Sequence, residues 1–181
     1  MDDPRQRRLV ERIAENQYLE DLRQMPMEQL REMRDECREG ENELSFERRL
    51  CQARIDILSG ELDRRSGRGG DKNLVDRLPE LLATEGGGGP GALPSRAPDF
   101  SIPRNADIPR RRVEEILGEQ TLSRLQTLSN EELQGIIRSL GENENSVSAK
   151  RKKVQEVTDT IQAEIVRRYT SGEADPASAL S

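Results

Sequence analysis

Ten polar side chains, in two stretches of the chain, are the residues best suited to bind a ligand. They follow the pattern E-x3-S-x2-R-x3-Q-x3-D, which occurs twice at an interval of 103 residues. The two copies comprise Glu41, Ser45, Arg48, Gln52 and Asp56, and then Glu144, Ser148, Arg151, Gln155 and Asp159. At about 100° per residue, the five side chains of one copy fall within about 80° of one helix face. Each copy therefore predicts a polar row, about 22 Å long at helical rise.

The side chains of a polar row favour recognition of a nucleotide. A carboxylate accepts two parallel hydrogen bonds from the N1–H and N2–H2 edge of guanine. An arginine donates a bidentate pair to guanine O6 and N7, or pairs with a phosphate. Serine and glutamine can satisfy ribose or phosphate oxygens. An anionic ligand that carries guanine and has two-fold symmetry would use the set twice.

Catalysis is a poor interpretation of the same residues. The chain has no histidine, which removes Ser-His-Asp and Cys-His arrangements and the usual zinc sites. Glu41 and Asp56 lie four helical turns apart, too far for one reaction centre. The glycine-rich stretches do not have the spacing of a phosphate-binding loop. We therefore expect a protein that is not an enzyme and has no metal site.

An apolar stripe lies beside each polar row and indicates how the rows are positioned. Its spacing alternates near three and four residues, as in the seam of a coiled coil. The stripes comprise Leu44, Cys51, Ile55, Leu58 and Leu62 in the first copy, and Val147, Val154, Thr158, Ile161 and Ile165 in the second. We expect two helices to pair along this seam, so that the two polar rows form a two-fold-symmetric groove.

The repeat extends beyond the polar rows and divides the chain. The first repeat is predicted at 1–66, with a short helix at 5–23 and a long helix at 27–66. The second is predicted at 108–171, with a short helix at 108–126 and a long helix at 130–171. Glycines and prolines mark 67–107 as a flexible linker, with a possible short helix at 72–84, and 172–181 as a disordered tail. A linker of this length permits parallel or antiparallel pairing of the long helices.

Composition excludes several classes of protein. Charged residues make up 35% of the chain and aromatic residues 2%, which favours long helices touching along narrow stripes over a thick globular core. The net charge of −6 argues against a general nucleic-acid binder, and few aromatic platforms are available for a single strand. Nothing in the chain reads as a membrane span or a signal peptide. We expect a cytoplasmic protein whose Cys37 and Cys51 remain reduced on the seam.

One alternative is that the polar rows are only the solvated flank of a coiled coil. For one row we would favour that interpretation. However, all five positions are identical in both copies, while neighbours such as Phe46 and Ala149 differ in character. The basic run Lys150–Lys153 surrounds Arg151 and suggests a bound anion there.

The doubled motif on two helices joined by a long linker resembles the RsiG family of cyclic-di-GMP-dependent anti-sigma factors from filamentous actinobacteria. The resemblance covers the long helices and matches all ten motif positions. It implies an antiparallel coiled coil that binds cyclic di-GMP, expected as two molecules, through those ten residues. It also implies sequestration of WhiG, a sporulation sigma factor of the flagellar type, without direct DNA binding and with a monomer in the absence of the sigma factor. The alternative is a structural coiled-coil adaptor with no nucleotide ligand.

Overall fold

The computed structural model describes residues 9–67 and 112–174, and every regular element within these ranges is helical. The helices are α1 (Leu9–Ile13), α2 (Met27–Arg65), α3 (Arg112–Ile116), α4 (Glu119–Ser123) and α5 (Asn130–Ser171), with 3-10 helices at Asn16–Leu19 and Leu125–Thr127. The predicted all-α fold with two long helices is confirmed. None of the described helices has a stretch long and apolar enough to cross a membrane.

The described residues form two compact units that cut across the two sequence repeats. The first unit contains residues 9–45 and 148–174, and the second contains residues 46–67 and 112–147. Each long helix contributes one part to each unit. Each unit therefore combines the beginning of one repeat with the end of the other.

Contacts inside each unit show that α2 and α5 run antiparallel. In the first unit Arg31 Nη2 donates to Tyr169 Oη at 2.7 Å, while Glu41, ten residues later on α2, accepts from Gln155. In the second unit Arg48 pairs with Glu144, and Arg65 donates to Asn130 Oδ1 at 3.1 Å. Moving forward along α2 thus means moving backward along α5, which resolves the orientation that the linker left open.

The predicted apolar seam forms the core of both units. Eight of its ten members are buried, and Ile55 and Leu62 pack partly buried against the core of the second unit. The one hydroxyl on the seam, that of Thr158, donates to the Val154 carbonyl at 2.8 Å, so its burial leaves no unsatisfied donor. Cys37 and Cys51 are free thiols with no exposed surface, and burial raises the pKa of both.

A buried arginine near the end of α5 holds the segment that precedes α2. Arg168 Nη2 donates to the carbonyls of Leu22 and Arg23 at 2.9 and 3.0 Å, and Nη1 donates to Met25 O. Its Nε donates to Glu164 Oε1 at 2.8 Å. The guanidinium thereby satisfies carbonyls that have no helical partner and joins the end of the second repeat to the beginning of the first.

Arg65, 103 residues earlier, makes the equivalent contacts in the second unit. It donates to the carbonyls of Leu125 and Leu128 at 3.0 and 2.5 Å, and to Glu61 Oε1 at 2.8 Å. We call Arg168 with Glu164, and Arg65 with Glu61, the two end clamps. Each clamp connects one repeat to the other and so stabilises the antiparallel pairing within its unit.

The start of α5 is set by a capping box. Ser129 N donates to Glu132 Oε2 at 2.7 Å, and Glu132 N donates to Ser129 Oγ at 3.2 Å. The two bonds satisfy backbone donors that the first turn of a helix leaves open. At the start of α2, Pro26 precedes the first helical residue, and its carbonyl accepts from Leu30 N at 3.2 Å.

The expected short helices at 5–23 and 108–126 are wrong as single helices in their described parts. α1 ends at Ile13, and the chain turns through an extended Glu15, with ψ 140°. This turn brings Tyr18 Oη within hydrogen-bonding distance of Glu36 Oε2, at 2.8 Å, and of the Met33 carbonyl, at 3.2 Å. Ile13 remains fully buried. A straight helix would carry Tyr18 away from α2.

The second repeat breaks in the same region, at Gly118. Its backbone is extended, with φ −80° and ψ 170°, and separates α3 from α4. The break permits Val113 and Leu117 to be fully buried in the second unit. The possible helix at 72–84, most of the linker and residues 175–181 lie outside the described residues.

Candidate ligand-binding site

The ten motif residues are divided between the two units, and each unit receives residues from both motifs. The first half-site, in the first unit, comprises Glu41 and Ser45 from one motif and Ser148, Arg151, Gln155 and Asp159 from the other. The second half-site, in the second unit, comprises Arg48, Gln52 and Asp56 from one motif and Glu144 from the other. The sequence repeats alone do not reveal this exchange.

In the first half-site, Glu41 is the centre of the contacts between the motifs. Its Oε1 lies 3.8 Å from Arg151 Nε and accepts from Gln155 Nε2 at 2.5 Å. The Arg151 side chain is 35% exposed and that of Glu41 is 16% exposed. Both remain accessible from solvent along the flank of the seam, whereas Val154 beside them is fully buried.

In the second half-site, the same pair of residue types meets with the motifs interchanged. Arg48 Nη1 lies 3.6 Å from Glu144 Oε1, and Gln52 Nε2 donates to Asp56 Oδ1 at 3.3 Å. The two half-sites differ in the contact of their glutamine. Gln155 contacts a residue of the opposite motif, whereas Gln52 contacts the aspartate of its own motif.

These contacts define two crossed pairs, Glu41–Arg151 and Glu144–Arg48. In each, the glutamate of one motif faces the arginine of the other, as expected for two polar rows that flank one seam. Each half-site therefore presents carboxylates, one guanidinium and an amide on a partly exposed surface. Such a set can recognise a polar ligand by charge-assisted and bidentate hydrogen bonds.

The seam beneath the second half-site contains a polar residue that sequence analysis missed. Asn143 is buried, and its Nδ2 lies 3.3 Å from Cys51 Sγ. A buried asparagine in a coiled-coil seam favours one register over its alternatives. Asn143 directly precedes the motif residue Glu144, so the residue that favours this register lies next to a charged contact between the motifs, that of Glu144 with Arg48. No comparable signal marked it in the sequence, since the first repeat has Gly40 at this position.

The end clamps were the other missed feature, although the sequence contained a signal for them. Glu61, Arg64 and Arg65 recur as Glu164, Arg167 and Arg168. The recurrence was visible as part of the duplication, but nothing in it indicated that the arginines bind backbone carbonyls of the other repeat.

The fold and the half-sites define an internally duplicated, antiparallel coiled-coil protein with charged half-sites on its flanks. The chain belongs to the RsiG-like family, whose model matches residues 16–82 and 119–181 and so covers both long helices. No curated protein matches the chain. Membership in this family indicates an anti-sigma factor role with a sigma factor as partner, and the family is one of regulators, not of enzymes.

Proposed function

We propose that this protein is an anti-sigma factor that binds cyclic di-GMP at its two half-sites. In that state it sequesters WhiG, a sporulation sigma factor of the flagellar type, and represses the genes that WhiG transcribes. The observation that carries the proposal is the crossed pairing of Glu41 with Arg151 and of Glu144 with Arg48. Because both motifs meet in each unit, two sets of side chains, each with a crossed pair, an amide and a further carboxylate, are available for a symmetric nucleotide.

The chemistry of each half-site suits guanine and phosphate. Glu41 and Glu144 have carboxylates that can accept from the N1–H and N2–H2 edge of guanine. Arg151 and Arg48 can donate to the O6 and N7 edge or to a phosphodiester. Both arginines are about one-third exposed, so a ligand can reach them without unfolding of the seam. The presence of two half-sites supports the expected binding of two molecules of nucleotide.

Binding of the nucleotide and of the sigma factor should be coupled. A bound nucleotide covers the charges of the half-sites and presents base and phosphate edges to the partner. By thermodynamic linkage, the factor by which the nucleotide tightens sigma binding equals the factor by which the sigma factor tightens nucleotide binding.

Calorimetric titration with cyclic di-GMP, with and without WhiG, tests the proposal. Arg151→Ala and Arg48→Ala should each cost about 1.5–3 kcal/mol of nucleotide binding for a lost charge-assisted contact. Lys153→Ala is the control, because Lys153 is exposed and lies two residues, about 200°, around the helix from Arg151. Cyclic di-AMP should fail to bind, since adenine lacks the donor edge that a carboxylate recognises. Unchanged affinity in Arg151→Ala would show that the site is wrongly assigned.

The alternative, a structural coiled-coil adaptor, predicts different results. Cyclic di-GMP would produce no heat at concentrations up to the millimolar range. Replacement of the motif residues of one half-site would leave binding of the sigma factor unchanged. A partner that binds equally well with and without the nucleotide would favour the adaptor.

A further inference from the structure

A second basic residue follows the motif arginine in both copies of the motif. It is Arg49 in the first copy and Lys152 in the second. In each case it lies four residues after the motif serine, three before the glutamine and seven before the aspartate. Residues at these spacings share one helix face, so the cation belongs to the same stripe as the motif residues. The other two flanking positions, Glu47/Lys150 and Leu50/Lys153, change in charge between the copies.

The charge of the half-sites makes this cation relevant to ligand binding. The motif residues of the first half-site include two carboxylates, Glu41 and Asp159, and one guanidinium, Arg151. Those of the second include Glu144 and Asp56 with Arg48. Each half-site therefore carries one more negative than positive charge. A cyclic dinucleotide brings two phosphodiesters, each with a further negative charge, so the net charge of the motif residues opposes its binding.

Lys152 and Arg49 are placed to offset this excess. Lys152 is exposed, next to the half-buried Ser148 and Gln155 of the first half-site. Arg49 is half-buried in the second unit and lies three residues before Gln52 and seven before Asp56, on their side of the helix. An ordinary solvated pair between Lys152 and Glu156, four residues later, would explain Lys152 alone. Such a pair would not explain Arg49, the cation at the same position of the first copy, because the residue that corresponds to Glu156 in that copy is Ala53.

We propose that Arg49 and Lys152 bind the phosphodiesters of the ligand and extend each motif to E-x3-S-x2-R-[R/K]-x2-Q-x3-D. The inference rests on the proposed function and assigns a specific role to residues outside the ten motif positions. Glu41 and Glu144 recognise the base edge, while Lys152 and Arg49 provide the charge that admits an anion.

Calorimetric titration of the full chain with cyclic di-GMP at several salt concentrations tests the inference. Lys152→Ala should weaken binding about fivefold, the effect of one exposed ion pair, and should reduce the dependence of affinity on salt. Lys152→Arg should retain both affinity and salt dependence, because the charge is kept. Lys153→Ala removes the same charge from a residue that lies about 200° around the helix from Arg151, and it should change affinity by less than about twofold, since this residue points away from the motif arginine. Arg49→Ala and Arg49→Lys repeat the comparison in the second unit, with circular dichroism to check folding.

The outcomes separate this inference from the proposed function. A loss in Lys152→Ala that Lys153→Ala does not share, together with a weaker salt dependence, supports a phosphate contact. If Lys152→Ala and Arg49→Ala bind like the unsubstituted protein while Arg151→Ala loses affinity, the inference is overturned and the proposed function remains. If the unsubstituted protein does not bind the nucleotide, both are overturned.

Discussion

Glu41 of the first motif lies against Arg151 of the second, with 3.8 Å between Oε1 and Nε, and the same oxygen accepts a hydrogen bond from Gln155. The pair Glu144–Arg48 repeats the relationship at 3.6 Å with the motifs interchanged. The two helices are thus connected by their charged flanks as well as by their apolar seam.

A double-mutant cycle measures the energy of this connection. The changes are Glu41→Gln, Arg151→Gln and the double variant, with the free energy of unfolding obtained in urea without nucleotide. We expect a coupling of about 0.2–1 kcal/mol, because the pair is partly exposed and screened by solvent. Coupling should decrease at high salt. A coupling indistinguishable from zero at low salt would show that the two side chains do not interact.

Loss of an end clamp should destabilise the fold much more than loss of a crossed pair. Arg168→Ala and Arg65→Ala each remove hydrogen bonds to backbone carbonyls and leave a buried glutamate with one fewer partner. We expect a cost of about 2–4 kcal/mol in the free energy of unfolding.

Arg64→Ala is the matched control for Arg65→Ala. Arg64 contacts the same Glu61 but is 58% exposed and donates to no described carbonyl of the other repeat. Its replacement should cost clearly less than that of Arg65, because an exposed ion pair is screened by solvent. Equal losses in the two variants would mean that the carbonyl contacts of Arg65 contribute nothing to stability.

Gly40 lies where α1 approaches α2 closely. A Cβ at this position would lie 3.0 Å from Ile13 Cδ1 and 3.6 Å from Val10 Cγ2. In an open helix position, Gly→Ala stabilises by about 0.5–1 kcal/mol. Gly135→Ala should show this gain, because nothing lies within 4 Å of its added Cβ. Gly40→Ala should lose the gain and destabilise by about 1–3 kcal/mol through overpacking. Thermal unfolding of both variants compares them, and a similar stabilisation in the two would contradict the close contact.

The end clamps also predict a dependence of stability on acid. Hydrogen bonds from Arg64 and Arg65 lower the pKa of Glu61 from 4.5 to about 2, and Arg167 and Arg168 do the same for Glu164. A carboxylate whose pKa is lower in the folded state stabilises the fold fully above its unfolded pKa. That contribution should be lost as the pH falls from about 4.5 towards 2.

Urea unfolding between pH 5 and pH 2 checks the acid dependence. In the double variant Glu61→Gln, Glu164→Gln, the free energy of unfolding should be lower at pH 5 and should fall less steeply between pH 4.5 and 2. Parallel curves for the variant and the unsubstituted protein would show that these carboxylates do not titrate with folding.

Sequence periodicity was sufficient to predict most of the architecture. The stripe around Leu44 and Val154 predicted the seam, because apolar residues at spacings of three and four can be buried only against another helix. The start of α5 is likewise determined locally, by Ser129 and Glu132, because the capping box is an interaction between residues three positions apart. The prediction of continuous short helices was wrong. α1 and α3 end where the chain turns so that side chains can pack against α2 or the seam, and this packing requirement depends on residues far apart in the sequence.

The candidate site was predicted as two polar rows but not as two exchanged half-sites. The rows follow from helical geometry within each motif. Which motif residue meets which depends on contacts between residues far apart in the chain, such as Arg48 with Glu144. The assignment of all ten residues to a nucleotide stays a prediction.

By itself, the sequence determined the two long helices, the seam and the polar rows, because each depends on residues only a few positions apart. The antiparallel orientation was decided by the tertiary structure alone. The linker is long enough for either orientation, and contacts between distant residues distinguish them, among them those of Arg65 and Arg168 with loops of the opposite repeat. The same long-range packing decides that glutamate and arginine from different motifs share each half-site.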